Sequence, residues 1–547
     1  MDNQQTIDQT AIWQALTQHQ KSFQPTHLKD LFADDPQRGT HFSAEAAGIY
    51  FDYSKNHLTE TTLGLFEKLA DEVQLSQHID ALFSGFKVNQ SEDRPALHTA
   101  LRQGFQQQAS LDNDHAIDKN TRQEIKRSLA QTLEFAEALR KGSVLGSGGQ
   151  PITDVINLGI GGSDLGPRLV VDALADTPKP GASNKPQVHF VANIDSDALN
   201  ATLQQCTPAT TLFIISSKSF TTLETLSNAG LARTWLLSAG IPEDQLKTHF
   251  VAITSQVDKA LTWGVDQQAI FTTGDEVGGR FSLWSAIGLP IAIALGSAQF
   301  RELLAGAAAM DSHFQNASLR ENLPVLHGLI NVWQINFWQC KSRAILPYVH
   351  KLKTLPDYLQ QLSMESLGKS VTQTGQALKL ATGQVIWGSE ESNGQHSFHQ
   401  LLLQGTELIP ADFIVTRQAH CSTDQHRQLY ANCLAQSQIL MLGTADDGLP
   451  KYRAISGNRS SNTLVLDKLS PQCLGALLAL YEHSAYVQSV VWGINAFDQW
   501  GVEQGKQISN KVANTLLAEA GAQHGDALEQ TYDSSTRALI QRYRKDP

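Results

Sequence analysis

Cysteine is scarce: the chain has five, Cys206, Cys340, Cys421, Cys433 and Cys473, widely spread and never in a C-x-x-C pair. That argues against a disulfide framework and against a local zinc or redox motif, and leaves reduced thiols in a cytosol as the expectation. Positive charge is also short, with 42 Lys and Arg against 54 Asp and Glu for a formal net charge of -12. Nucleic acid or an anionic membrane would repel such a chain at long range, so neither is an expected partner. A small pocket of donors for one anionic metabolite would leave no trace in that balance.

Long apolar runs are missing as well. The opening residues, MDNQQTIDQTAIWQALTQHQ, have neither the basic start nor the apolar stretch that directs export, so a cytoplasmic location is expected. One uncharged stretch, 281 to 300, has the length of a membrane span, yet Ser282, Ser285, Gly288, Pro290 and Gly296 interrupt it. A buried core helix is the better reading.

What is present is an ordinary globular composition, 41% hydrophobic and 18% charged, in 547 residues, which exceeds what one core holds. Short β-rich runs recur at Val155 to Leu158, Val188 to Val191, Leu212 to Ile215 and Phe250 to Ile253, with helix-prone segments between. Parallel strands need crossovers, so this rhythm predicts an α/β sandwich over residues 122–293. A second series, Ala344 to Val349, Gln384 to Trp387 and Glu407 to Val415, predicts another over 294–517. Residues 1–121 carry helical patterns such as Thr61 to Val73 and are assigned to the large second lobe, although periodicity alone leaves that choice open. The polar segment 518–547 is expected to be a C-terminal arm, either solvated or embracing another subunit.

Six segments carry candidate chemistry. After the run Val155 to Leu158 comes Gly159-Ile160-Gly161-Gly162-Ser163-Asp164-Leu165-Gly166. Its glycines allow a sharp turn and close approach of a ligand, but it is neither the dinucleotide fingerprint nor a P-loop, and a purely structural turn stays open. After Leu212 to Ile215 comes Ser216-Ser217-Lys218-Ser219-Phe220-Thr221-Thr222, with hydroxyls crowded around one ammonium. Such a set at a helix start suits a phosphate; the alternative is an elaborate N-cap, although a cap needs one or two hydroxyls rather than five. Arg280, behind Gly278-Gly279, is either an ion-pair partner or a permanent charge facing an anionic intermediate.

Glu365 sits in a helical stretch among apolar and small residues, and a carboxylate partly withdrawn from water suits a proton acceptor, though a lone Glu is usually a surface residue. His396 and His399 stand one helical turn apart with no H-E-x-x-H motif, so no metal is assigned. Lys506 lies three residues after Glu503, which fits a surface ion pair or a lysine aimed into a pocket.

Taken together, GIGGSDLGP at 159–167, SSKSFTTLET at 216–225, GGRFSLWSAIG at 278–288, MES at 364–366, NGQHSFHQL at 393–401 and FDQWGVEQGK at 497–506 resemble the glucose-6-phosphate isomerases. Order and spacing agree from about residue 40 to 515. The resemblance implies two sugar-isomerase (SIS) type αβα lobes with mostly parallel sheets, a helical N-terminal region and a C-terminal helical arm. It implies that Ser217, Lys218, Ser219 and Thr222 hold the sugar phosphate, and that Gly162, Ser163, Gln361 and Gln499 line the sugar site. Glu365 would move the proton between C2 and C1, Arg280 would stabilise the enediolate, and His396 and Lys506 would assist ring opening. His396 would reach in from the other subunit of a homodimer with shared active sites, and no cofactor or metal is required. Three departures stand out: Ser219 where threonine is usual, Leu367 in place of an asparagine, and Glu390-Glu391 before the His396 loop. A sugar-phosphate sensor of the same fold would need the Ser217 to Thr222 loop, but not Glu365, His396, Arg280 and Lys506 together. A metal-dependent hydride-shift isomerase would need a dense His/Asp/Glu ligand set.

Overall fold

The computed structural model describes residues 6–103, 117–175, 185–444, 448–517 and 531–545. Their strands are β1 (Ser43–Ala46), β2 (Ile49–Asp52), β3 (Asp154–Leu158), β4 (Gln187–Val191), β5 (Thr211–Ser216), β6 (Phe250–Thr254), β7 (Ile270–Thr272), β8 (Ser342–Pro347), β9 (Val385–Gly388), β10 (Ala411–Thr416) and β11 (Ser461–Leu466). One sheet runs β4-β3-β5-β6-β7 and is parallel throughout. The other runs β1-β2-β11-β10-β8-β9, parallel from β11 to β9 and antiparallel at the β1–β2 hairpin edge. The fold is α/β with mostly parallel sheets, as expected.

All seven apolar runs read from the sequence contain strands, although the run Glu407 to Val415 becomes strand only at Ala411 and the run Ala344 to Val349 ends its strand at Pro347. Four further strands carry weaker signals. β7 has only three residues. β1 and β2 lie half-exposed around a tight turn in which Ala47 and Gly48 take φ of 51° and 76°, a hairpin without the usual Asn-Gly. β11 begins Ser-Asn-Thr, three polar residues that are buried, and Asn462 Nδ2 finds a partner in Asp412 Oδ1 at 2.8 Å.

Within the first sheet the chain steps from β3 to β4 on one side and then to β5 on the other. Leu158 of β3 lies beside Ile215 of β5, so the turns that follow both strands leave from one edge. A parallel sheet opens a crevice at such a reversal, outside the carboxyl ends of its strands, and the glycine turn and the Ser217 loop flank it.

The uncharged stretch 281–300 is largely buried as far as Gly296 but is not one helix. It is two 3₁₀ turns, Gly279–Trp284 and Ala286–Gly288, a short helix Leu289–Leu295, and the start of the helix Ser297–Asn316. A side chain at Gly288 would press 2.6 Å from the Leu283 carbonyl oxygen, and Gly296 has a φ of 92°, so the backbone breaks where its glycines sit. Among the described residues no helix is long and apolar enough to cross a membrane. The helix Pro471–Trp492 is buried along nearly its whole length, which makes Glu482, its single acidic residue, conspicuous.

The chain divides into two compact units, Met1–Phe497 and Asp498–Pro547. Both sheets belong to the first. In the second, the helices Trp500–Leu517 and Ser534–Lys545 are joined by the Arg544 guanidinium, which donates to the Thr515 carbonyl oxygen. The expected arm, 518–547, lies partly outside the described residues.

Candidate active site

The glycine turn is shaped by what it must approach. A Cβ on Gly162 would stand 1.9 Å from the Gly279 carbonyl oxygen and 2.7 Å from the Arg280 nitrogen, so only glycine admits that backbone. Gly161 takes a φ of 59°, and a Cβ there would come 3.0 Å from Gln361 Nε2. The turn therefore has a structural duty, seating the Arg280 segment, alongside any ligand contact. Asn157 joins it to the neighbouring strand, donating to the Ser163 carbonyl oxygen at 3.0 Å and accepting from Ser216 Oγ at 2.7 Å.

At the end of β5, Ser217 is buried, and its Oγ lies 3.0 Å from Thr222 Oγ1. Thr222 is the N-cap of the helix Leu223–Ser238, yet its side chain makes no capping bond. The N-cap alternative for this hydroxyl is therefore not what the structure adopts. Ser219 Oγ pairs with Thr221 Oγ1 at 2.8 Å. Phe220 holds a φ of 47°, uncommon for a bulky residue, while its ring is buried in the core beneath. The Lys218 ammonium donates to the carbonyl oxygens of Asp275 at 3.0 Å and Val277 at 3.2 Å, with Asp275 Oδ1 at 3.5 Å. Burial pushes the Lys218 pKa down from its ordinary value, and the Asp275 carboxylate pulls it back only in part.

Arg280 and Glu365 meet in the same unit. Arg280 is buried; its Nε donates to Ser366 Oγ at 2.7 Å and its Nη2 to the Ala496 carbonyl oxygen, so Ser366 of the Met-Glu-Ser run orients the guanidinium. Its Nη1 stands 3.4 Å from Glu365 Oε2. The helix Leu355–Gln360 continues as one π turn, Gln361–Glu365, a local widening frequent at functional sites. Across that turn Gln361 Nε2 donates to Glu365 Oε2 at 3.0 Å. Both contacts fall on Oε2; among the described residues Oε1 takes none. A carboxylate so held, beside a charge that never leaves, can accept a proton while the cation steadies the anion that remains.

The pattern of the phosphoglucose isomerase family matches residues 52–540. The chain belongs to that family. It is 47% identical to the glucose-6-phosphate isomerase of Pseudomonas fluorescens (strain SBW25), covering 98% of both chains. It is 45% identical to that of Shewanella halifaxensis, over 98% of this chain and 99% of the relative. A crystal structure of a glucose-6-phosphate isomerase from Chlamydia trachomatis superposes with a TM-score of 0.84 at 29% identity, over 98% of this chain and 99% of the other.

His396 ends a short turn, Asn393–His396, with its side chain exposed. His399 is buried instead, with Nε2 3.0 Å from Glu391 Oε1, so the two imidazoles face different surroundings. Glu391 also accepts from the Gln395 backbone amide at 3.0 Å, and Glu390 accepts from Asn393 Nδ2 at 2.9 Å. The acidic pair thus braces the His396 loop. Leu367 is buried in the main core, where an asparagine would need a partner. Lys506 and Gln499 belong to the second unit, where Lys506 Nζ lies 3.1 Å from Glu503 Oε1, the ion pair that the spacing allows.

Sequence reasoning missed one buried group beneath the site. Glu482 Oε1 accepts from Trp284 Nε1 at 2.9 Å and Tyr358 OH at 3.4 Å, while Arg102 pairs with Oε2. Trp284 follows Arg280 on its turn and Tyr358 precedes Gln361 on its helix, so one carboxylate ties together the carriers of both reacting charges. A lone acid in the apolar run 471–492 was the available signal.

Proposed function

We propose that the protein interconverts D-glucose 6-phosphate and D-fructose 6-phosphate by ring opening and proton transfer through a cis-enediol(ate). The observation that carries this reading is the Glu365 carboxylate, oriented by Gln361 on one oxygen and paired with a buried arginine, in a member of the phosphoglucose isomerase family. A proton beside a carbonyl is weakly acidic, so its removal needs a base on one face and a cation for the enediolate. Glu365 is assigned the transfer between C2 and C1, and Arg280 the enediolate. Ser217, Lys218, Ser219 and Thr222 are assigned the phosphate, with Gly162, Ser163, Gln361 and Gln499 lining the sugar. His396 and Lys506 are assigned ring opening. The chemistry asks for no cofactor.

A coupled assay of glucose 6-phosphate turnover tests the base. Glu365→Gln is expected to lose roughly 10²- to 10⁴-fold in kcat while retaining ligand affinity; turnover near that of the unsubstituted protein would remove Glu365 from the mechanism.

We further infer a cytoplasmic homodimer, acting in glycolysis and gluconeogenesis, in which His396 serves the neighbouring subunit's site. The exposed imidazole on a braced loop supports this. Subunit exchange between inactive Glu365→Gln and His396→Ala proteins should regenerate activity, because one site of each mixed dimer then has both groups. No recovery despite demonstrated exchange would place His396 in its own subunit's site or outside the chemistry.

A further inference from the structure

At the other end of β3 from the glycine turn, three side chains of different origin converge. Asp154 opens β3, and the parallel register sets Ile156 beside His189 of β4. Side chains alternate along a strand, so Asp154, Ile156 and His189 share one face of the sheet. That face is covered by the core containing Ile156 and Leu199, and Cys206, just beyond the helix Ser196–Leu203, packs against the same core. His189 Nε2 lies 3.0 Å from Asp154 Oδ1. One ligand atom from each of Asp154, His189 and Cys206 lies within 4.8 Å of the other two.

We propose that Asp154, His189 and Cys206 form a binding site for a borderline-soft divalent cation, Zn²⁺ best of all, with water completing the coordination. A carboxylate oxygen, an imidazole nitrogen and a thiolate are the three donor types zinc takes, at about 2.0–2.3 Å. A tetrahedral ion with such bonds needs its ligand atoms roughly 3.3–3.8 Å apart, so small side-chain rotations close the set. The carboxylate and thiolate together neutralise a dication, so the partly buried site acquires no net charge. Thr153 Oγ1 donates to Asp154 Oδ2 at 2.8 Å, which anchors the carboxylate from outside and leaves Oδ1 towards His189. The His189 and Asp154 side chains retain 13% and 14% of their surface, an opening for water at the remaining position.

The same three residue types could instead make an activated nucleophile. Burial, and then the nearby Asp154 charge, push the Cys206 thiol up to about 12, which leaves it protonated and unreactive at neutral pH without a cation. A bound dication reverses that balance. The thiol proton goes to solvent, His189 offers its Nε2 lone pair with its proton on Nδ1, and affinity therefore rises with pH.

The site lies a strand's length from the glycine turn, so it stands or falls separately from the isomerase reading. The test uses the reduced full-length protein with Zn²⁺ in competition with a chromophoric chelator, and with Co²⁺ followed by absorbance. One zinc ion per chain is expected, and a near-ultraviolet thiolate-to-cobalt band. Cys206→Ser should abolish the band and weaken zinc binding by about tenfold or more, with isomerase turnover unchanged. His189→Gln keeps the thiol and should weaken zinc equally, which covers the case of a poorly folding Cys206 variant. Cys421→Ser, at the exposed thiol beside His420, should change neither signal. Absence of stoichiometric binding, a band and affinity that survive in Cys206→Ser, or their loss in Cys421→Ser, would overturn the proposal.

Discussion

The two sheets repeat one strand order. In β4-β3-β5-β6 and in β9-β8-β10-β11 the second strand in sequence lies outside the first, and the third and fourth follow on the other side. They differ in where each places its polar groups. The first sheet gathers hydroxyls and an ammonium at the open carboxyl end of β5, where partners remain available to a ligand. The second buries its polar groups between the strands and the helices behind them. Asp412 of β10 binds Arg343 Nη1 at 2.7 Å, His327 Nε2 at 3.0 Å, Tyr481 OH at 3.2 Å and Asn462 Nδ2 at 2.8 Å. Burial alone would raise the Asp412 carboxyl, but Arg343 and His327 reverse that and hold it well below the usual range. The same topology thus serves as a ligand shelf in one sheet and as a braced platform in the other. The platform's chain, leaving β8, carries Gln361 and Glu365 to the pair with Arg280.

That contrast can be broken most forcefully at Asp412. Asp412→Ala should cost about 3–5 kcal/mol in chemical denaturation, because it strands the Arg343 charge in the interior. A loss under about 1 kcal/mol, the range of exposed ion pairs, would mean that the platform is not braced from within. At the shelf, Ser217→Ala with Lys218→Ala should leave stability nearly intact. It should raise KM for glucose 6-phosphate by about 100-fold or more, from two lost contacts at about 1.5–3 kcal/mol per hydrogen bond to a charged group. Equal losses for a neutral sugar analogue would return this loop to a structural role.

The smallest effect concerns the edge of the platform. His57, just after the β1–β2 hairpin, bonds Asn458 Oδ1 at 2.8 Å and Ser460 Oγ at 3.1 Å on the approach to β11. Burial pulls its pKa down from 6.5 to about 4, so the unfolded chain takes up this proton first as pH falls. The His57 contribution to stability should therefore decline between pH 6.5 and 4 and level off below, so that the loss over this range is smaller in His57→Gln. An unchanged pH profile in that variant would assign the acid sensitivity elsewhere.

Much of this was legible in the chain itself. Runs such as Leu212 to Ile215 and Phe250 to Ile253 are β-branched or apolar on both faces, which a doubly covered parallel strand tolerates, and both are buried strands. The motifs around Gly159, Ser217, Arg280, Glu365, His396 and Lys506 carried the family, because chemistry needs those residue types at those spacings. Tertiary structure alone decided which of them meet. Gly162 is glycine because the backbone of Gly279 lies against it, and no local pattern reports a distant chain's approach. Ser366 and Gln361 aim Arg280 and Glu365 only because the Arg280 turn is folded against the helix that carries them. Glu482, and the trio Asp154, His189 and Cys206, come together across strands and helices remote in sequence. Periodicity records which face of an element is buried; which partner waits on that face follows from packing.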